Sequence, residues 1–449
     1  MGLGASLAPL DLAVNVAFPA ITAAFALETQ AIRWVIAAYV LVYSSLMLAF
    51  GKLGDAIGYR RVFRAGLVLA AVAFVLCALA PDYGWLLGAR MVQGVAAALL
   101  LSCAPALATS LYEESRRTWV LGAYASMGAA AGVVAPLVGG ASIALLGWAG
   151  VFWFRAPLAV ASLMLLAFIP PAPEPEHAEV QRGFDLGGAV LLAAGVALVL
   201  LAPTLAQSDG LVWLSVSSAL AGVVLLGAFI FRQRGAEHPF LPGAIVRDPG
   251  FVLLNLASAS VHLAGFAVPL LVPYYLARIS GYGPMEIGAL LTLWAVGMMA
   301  GSAIAVPAAR RLGSRPAALL GGALLVAGQF AIGQWPAGPS LMLLALFVHG
   351  AGIGLFQVAY TDSVIGALPQ HDRGVAGSLT ILTRTIGILV GAAALTAALH
   401  ALEARNLAAG LGATEAFLAA FQSVFVYSAL AFGIFFALAS VRRRKSTPA

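Results

Sequence analysis

Gly51-Lys52-Leu53-Gly54-Asp55-Ala56-Ile57-Gly58-Tyr59-Arg60-Arg61 is a short charged stretch between two apolar runs, each long enough to cross a bilayer. Glycines at 51, 54 and 58 permit a tight turn and let neighbouring helices approach closely. Asp55 is suited to capping a helix or to meeting a helix amino terminus, where a carboxylate is favoured. Arg60 and Arg61 stand where cationic side chains hold a link on the cytoplasmic side. The stretch therefore reads as a cytoplasmic turn between two membrane spans.

Composition extends this reading to the whole chain. Of 449 residues, 62% are hydrophobic and 9% charged, against roughly 25% charged in a soluble domain. A spanning helix needs about 20 apolar residues, and about fourteen such runs follow one another. The net charge of +6 matters less than its placement. Basic clusters fall at Lys52/Arg60/Arg61/Arg64, Arg116/Arg117, Arg232/Arg234, Arg310/Arg311/Arg315 and 442–445. Each cluster is separated from the next by whole pairs of spans. The links around Glu28, Asp82, Asp209 and Trp335 hold little positive charge. Both termini are thus expected in the cytoplasm, in a multi-pass protein of the inner (plasma) membrane. The same placement argues against nucleic acid as a partner. Cys77 and Cys103, the two cysteines, both sit in apolar runs and imply neither a disulfide framework nor a metal site. The first run reads as a retained helix, not a cleaved leader.

The expected spans are 4–26, 33–50, 62–80, 84–108, 119–145 and 151–170, then a hairpin of 186–205 and 211–231, then 250–276, 285–307, 316–334, 339–365, 375–400 and 418–440. This gives an all-α membrane fold with an amino-terminal six-helix bundle (1–170), a linker carrying two extra helices (171–248), a second six-helix bundle (249–441) and a basic tail (442–449). The proline- and acid-rich link 170–176 cannot continue a helix. The two sixes carry weak internal similarity, as parallel repeats do. Gly58-Tyr59-Arg60-Arg61 has a counterpart in Gly313-Ser314-Arg315-Pro316, and Val92-Gln93-Gly94 in Val348-His349-Gly350.

Ionisable and polar residues inside spans are the candidates for chemistry. Asp11, about eight residues into the first run, is suited to binding and releasing a proton. Its alternative is a place near the cytoplasmic end, in reach of water or a basic partner. Arg90 keeps its proton and must find an acceptor or reach the interface. Asp362, toward the cytoplasmic end of the tenth span, forms with Gln357, Tyr360 and Thr361 the most polar intramembrane cluster in the sequence; water access from the cytoplasm is its alternative explanation, and Arg384 is a candidate partner for it. His262 and His349 titrate in the physiological range when free, although a lone histidine in a span also serves as a hydrogen-bonded packing residue. Gly132, Pro136, Gly139 and Gly140 lie in a run of small residues spaced for close helix contact, with the proline placed to kink it. Arg155 follows Trp148 and Trp153 and reads as an interfacial anchor. Glu286 is expected in solvent at the outer mouth. There is no phosphate loop, metal-ligand cluster or nucleophile motif, so no cofactor and no ATP-driven step are expected.

These stretches resemble one family. Residues 51–61 match the loop signature of the major facilitator superfamily at all of its defining positions. The stretch Leu10-Asp11-Leu12-Ala13-Val14-Asn15-Val16-Ala17-Phe18-Pro19 resembles the first-helix signature of fourteen-span drug:proton antiporters, departing at Ala13 (usually Thr) and Phe18 (usually Leu). Arg90, Gln93 and Gly94 resemble the fourth-helix motif in which this arginine is implicated in proton coupling. The stretch from Gly128 to Gly140 resembles a motif associated with exporters, with Ala131 and Ala135 in place of two glycines. Arg155 stands where that branch usually has Asn, near an arginine the branch has and this chain lacks, so the resemblance offers a second reading in which Arg155 takes over that charge.

The resemblance implies two six-helix bundles around a central cavity, a monomer working by alternating access, and no enzymatic activity. It also implies proton-coupled export of amphipathic or cationic small molecules, driven by the proton gradient and coupled through Asp11 or Asp362. Facilitated export of one metabolite or lipid is the alternative reading. A membrane-embedded enzyme or sensor is a reading from another class.

Overall fold

The computed structural model describes residues 2–113, 116–168, 186–206, 210–233, 249–335, 339–366 and 373–441. The link 170–176, Asp209, Arg234 and the basic tail lie outside the described residues, as do the side chains of Lys52, Asp55 and Arg117. Among the described residues every regular element is helical, and fourteen helices are long and apolar enough to cross a membrane. A bilayer supplies no hydrogen-bond partners, so backbone groups must be satisfied within each segment.

By their contacts the residues fall into two compact units, Met1–His238 and Pro239–Ala449. In the first, the opening span is built from α1 (Gly2–Ser6), a 3-10 turn (Pro9–Leu12), α2 (Ala13–Val16) and α3 (Phe18–Ala24). It is followed by α4 (Ile32–Ile57), α5 (Tyr59–Ala78), α6 (Tyr83–Thr109), α7 (Arg117–Leu146), α8 (Gly150–Trp153) and α9 (Arg155–Ala167). The hairpin α10 (Leu186–Leu205) and α11 (Val212–Gln233) completes the unit, with α10 packed on α4. The second unit holds α12 (Pro249–Gly265), α13 (Ala267–Arg278), α14 (Pro284–Leu312), α15 (Ser314–Ile332), α16 (Pro339–Gly366), α17 (Arg373–Ala408) and α18 (Ala413–Val441).

The expected internal repeat is visible in the packing. In the first unit α6 packs against both α4 and α5, the opening span against α7, and α5 against α9. In the second, α16 packs against both α14 and α15, α12 against α17, and α15 against α18. Close contact of α16 with α14 is possible because Gly301 and Gly350 lack side chains. A Cβ on either would collide with the facing backbone carbonyl, of Ala351 or of Trp294.

Of the stretch expected as a turn, residues 51–57 continue α4 and 59–61 open α5, so the reversal rests on Gly58 alone. Gly58 ends α4 at φ 94° and Gly313 ends α14 at φ 90°, so both links reverse through a conformation that side-chain-bearing residues rarely adopt. Arg60 then donates from Nη2 to the carbonyl of Leu166 at 2.9 Å. It thereby satisfies one of the acceptors left open at the end of α9, where a cation is favoured.

Replacing Gly58 or Gly313 with alanine should lower stability by about 1–3 kcal/mol each, the cost of forcing a Cβ into this region. Gly88→Ala, where a Cβ meets nothing within 4 Å, is the control expected to be neutral or stabilising. Thermal unfolding in detergent reads all three.

Candidate functional site

The opening span is not the single helix expected over 4–26. Pro9 begins its 3-10 turn and Pro19 lies in the first turn of α3. Each proline lacks an N–H and crowds the preceding turn, so the segment breaks into short pieces. Asp11 sits in the 3-10 turn. Behind it runs α7, where a Cβ on Gly139 would approach the Ala13 Cβ to 2.8 Å. Gly139 is thus needed for the contact. At Gly132 a Cβ would meet Leu12 at an ordinary 3.6 Å, so sterics do not demand glycine there. Pro136 and Gly140 are buried along the same helix, which runs unbroken from Arg117 to Leu146.

Two guanidiniums converge on the Asp11 carboxylate. Arg90 donates from Nη1 to Oδ1 at 2.7 Å and from Nη2 to Oδ2 at 2.9 Å, a bidentate pair. Arg155 donates from Nη1 to Oδ1 at 2.6 Å. Gln93 adds an Nε2 donor at 2.9 Å and accepts at Oε1 from Arg90 Nη1 at 2.8 Å. Arg90 is fixed further by its Nε bond to the Val35 carbonyl at 3.2 Å and by the Tyr39 ring, 4.4 Å from its guanidinium carbon. Asp11 retains 15% side-chain exposure, while Arg155 has none. Two cations and one anion leave the cluster with one uncompensated positive charge.

Arg155 is therefore not the interfacial anchor that its neighbours Trp148 and Trp153 suggested. The helix breaks between α8 and α9, and Arg155 opens α9 facing inward. Its Nε donates to Val151 O at 2.7 Å, and the rings of Phe74 and Phe152 lie 4.7 and 5.2 Å from the guanidinium. Its Nη2 has no hydrogen-bond partner among the described residues. Arg90 and Gln93 share a face three residues apart, a relation visible in sequence. Arg155 stood out as a charge within an expected span, but nothing in its spacing named Asp11 as its partner, and Tyr39 carried no signal of its own.

The second unit holds no such charged centre among the described residues. Tyr360 donates its hydroxyl to Asn255 Oδ1 at 3.0 Å and lies 3.3 Å from the Thr383 hydroxyl. His262 donates from Nδ1 to Ser258 O at 2.8 Å, with Gln357 beside it. Gln357 otherwise reaches Thr361, at 3.3 Å. Asp362 stands apart from this group. It is exposed and accepts from the Ser314 hydroxyl at the start of α15, and among the described residues it forms no pair with Arg384. The end of α16 projects it past the polar cluster toward the Gly313 turn. Glu286 is occupied as well, accepting from the Gly283 backbone N–H at 2.7 Å as the cap of α14.

His349, fully buried, lies in a separate chain of bonds that ends on the half-buried Ser428. Trp294 Nε1 donates to its Nδ1 at 3.0 Å, its Nε2 faces Gln329 Oε1 at 3.3 Å, and Gln329 Nε2 donates to Ser428 Oγ at 2.7 Å. The indole can only donate, so Nδ1 accepts and Nε2 carries the hydrogen. One neutral tautomer ties α14, α16, α15 and α18 together.

The sequence profile of the Major Facilitator Superfamily matches residues 1–392. The chain belongs to this superfamily. Among curated relatives, the puromycin resistance protein pur8 of Streptomyces alboniger is 30% identical, over 85% of this chain and 77% of its own. The riboflavin transporter RibZ of Clostridioides difficile is 25% identical, over 87% and 85%. An auto-inhibited peptide transporter of the POT family shares the fold at a TM-score of 0.67 and 17% identity, covering 100% of this chain and 98% of its own. Membership makes this chain a multi-pass membrane transporter of small molecules, not an enzyme.

Asp11→Asn should cost about 3–5 kcal/mol of stability, because it strands two buried guanidiniums without their anion. Adding Arg155→Asn should recover part of that loss. Thermal unfolding of the single and double variants gives the coupling between them.

Proposed function

We propose that this superfamily member exports amphipathic small molecules by alternating access, as a multidrug efflux antiporter driven by the proton gradient, with Asp11 as the coupling carboxylate. The observation that carries the reading is the half-buried Asp11, bound by Arg90 and Arg155 and seated in a span made of short pieces. A proton placed on Asp11 neutralises the one anion that the described residues set between the two guanidiniums. The pair of positive charges then repels, and the bonds holding the opening span to α6 and α9 weaken because a neutral carboxyl is a poorer acceptor. A segmented span backed by the smooth face of α7 is the element able to shift in response. Return of the carboxylate to its ionised form restores the bonds. Binding of a proton from outside and its release inside, as substrate leaves, converts these two states into export.

The positions of the basic clusters support a plasma-membrane orientation with both termini in the cytoplasm. The resemblance to the puromycin resistance protein supports export of a drug-like compound. Charge at the site modifies one earlier expectation. A cationic substrate finds no free carboxylate at Asp11, so neutral amphipathic compounds fit this unit better than cations. The likeness to a riboflavin transporter favours a second reading, a narrow transporter of one metabolite.

Inside-out vesicles under an imposed proton gradient test the proposal, with puromycin, a lipophilic cation and riboflavin as substrates. Wild type is expected to accumulate puromycin, Asp11→Asn to fall to background, and Asp362→Asn to retain uptake because its carboxylate lies outside the buried cluster. Gradient-driven uptake that survives in Asp11→Asn would remove Asp11 as the coupler. Uptake of riboflavin alone would favour the narrow metabolite transporter.

A further inference from the structure

Away from the Asp11 cluster, the outward face of α5 carries a groove of about 560 Å³. Arg61 and Arg64 lie at its end nearest the Gly58 turn, and Val68, Val72, Leu99 and Leu163 line its length. Arg61, Arg64, Val68 and Val72 recur at spacings of three and four, and all four are exposed. They therefore form one stripe along a helix. Neither arginine has a hydrogen bond or an ion pair among the described residues, and no carboxylate lines the groove. From Arg61 to Val72 the helix rises about 16 Å. That matches the roughly 15 Å of hydrocarbon in one leaflet.

We propose that this groove binds an anionic phospholipid, its phosphate between Arg61 and Arg64 and one acyl chain along Val68 and Val72. The turn at Gly58 fixes the arginines where α5 enters the membrane, which is the depth of a lipid phosphate. Guanidiniums bind phosphate oxygens through several N–H donors at once. Basic pockets of this kind between spanning helices select charged head groups. The apolar walls supply what a soluble phosphate lacks, so the occupant is a lipid rather than a free anion. Leu163 lies on α9 three residues before Leu166, whose carbonyl Arg60 holds. A bound lipid would thus sit on the joint between α5 and α9.

Native mass spectrometry of the full-length protein, titrated with phosphatidylglycerol or phosphatidylcholine of identical chains, tests the proposal. Wild type should prefer phosphatidylglycerol by roughly thirtyfold, from two arginines near the surface. The double variant Arg61→Gln/Arg64→Gln should lose the preference, Arg61→Lys/Arg64→Lys should keep most of it, and Val72→Trp, which fills the groove, should weaken both lipids. Glycerol phosphate should not compete. Equal binding of the two lipids by wild type overturns the proposal, as does a preference that persists in the glutamine variant. A dimer that is lost in Val72→Trp, with no lipid preference in wild type, would assign the face to a second copy instead. Should the glutamine variant fail to fold, the wild-type comparison and Val72→Trp still decide the matter.

Discussion

A carboxylate buried within the membrane, held between two guanidiniums, is the interaction on which the first unit depends. Any one of these charges alone in hydrocarbon would be very costly. Together, Asp11, Arg90 and Arg155 exchange hydration for short charge-assisted bonds at 2.6–2.9 Å. Gln93 and the Val35 carbonyl occupy donors and acceptors that would otherwise be left open. The opening span, α4, α6 and α9 are pinned to one point by groups far apart in the chain. This is also a fragile arrangement, because a change in the one anion alters every bond around it. The same property that makes the cluster costly makes it suitable as a switch.

The second unit repeats the packing without the charge. Where α6 carries Gln93 in the charged cluster, α16 carries His349 in a neutral chain from Trp294 through Gln329 to Ser428. Each of these residues joins the central helix of its unit to its neighbours, and each is followed by a glycine that permits the close approach. Gly94 faces Tyr39 and Val42 on α4, and Gly350 faces Trp294 on α14. The neutral chain has no titrating charge to lose and reads as a lock. The two units thus share an architecture while differing in the charge at the equivalent point of their central helices.

Beyond these interiors, the membrane-facing surface carries chemistry of its own. Arg60 turns inward to the end of α9, whereas Arg61 and Arg64 face outward over an apolar groove. Within one helical turn the basic cluster therefore serves both the protein and the membrane surface around it.

Much of this was legible in the chain itself. Length and apolarity of the runs dictated fourteen spans, because a bilayer demands helices of fixed length with internally satisfied backbones. Gly58 and Gly313 marked the equivalent turns of the two repeats, since their backbone conformation is available chiefly to glycine. Asp11 and Arg90 stood out because charge in an apolar run needs a partner. What sequence could not supply was the partner's identity. Arg155 beside two tryptophans read either as an anchor at the interface or as a displaced interior charge, and Asp362 beside Gln357 and Tyr360 read either as part of an interior cluster or as a residue open to water. Only the tertiary structure turned Arg155 inward to Asp11, across 144 residues of chain, and left Asp362 exposed beyond the polar group. Hydrophobicity and helix geometry are local properties that a sequence carries directly. The direction a charged side chain faces is set by helix breaks and neighbouring helices, and those are fixed only when the segments pack.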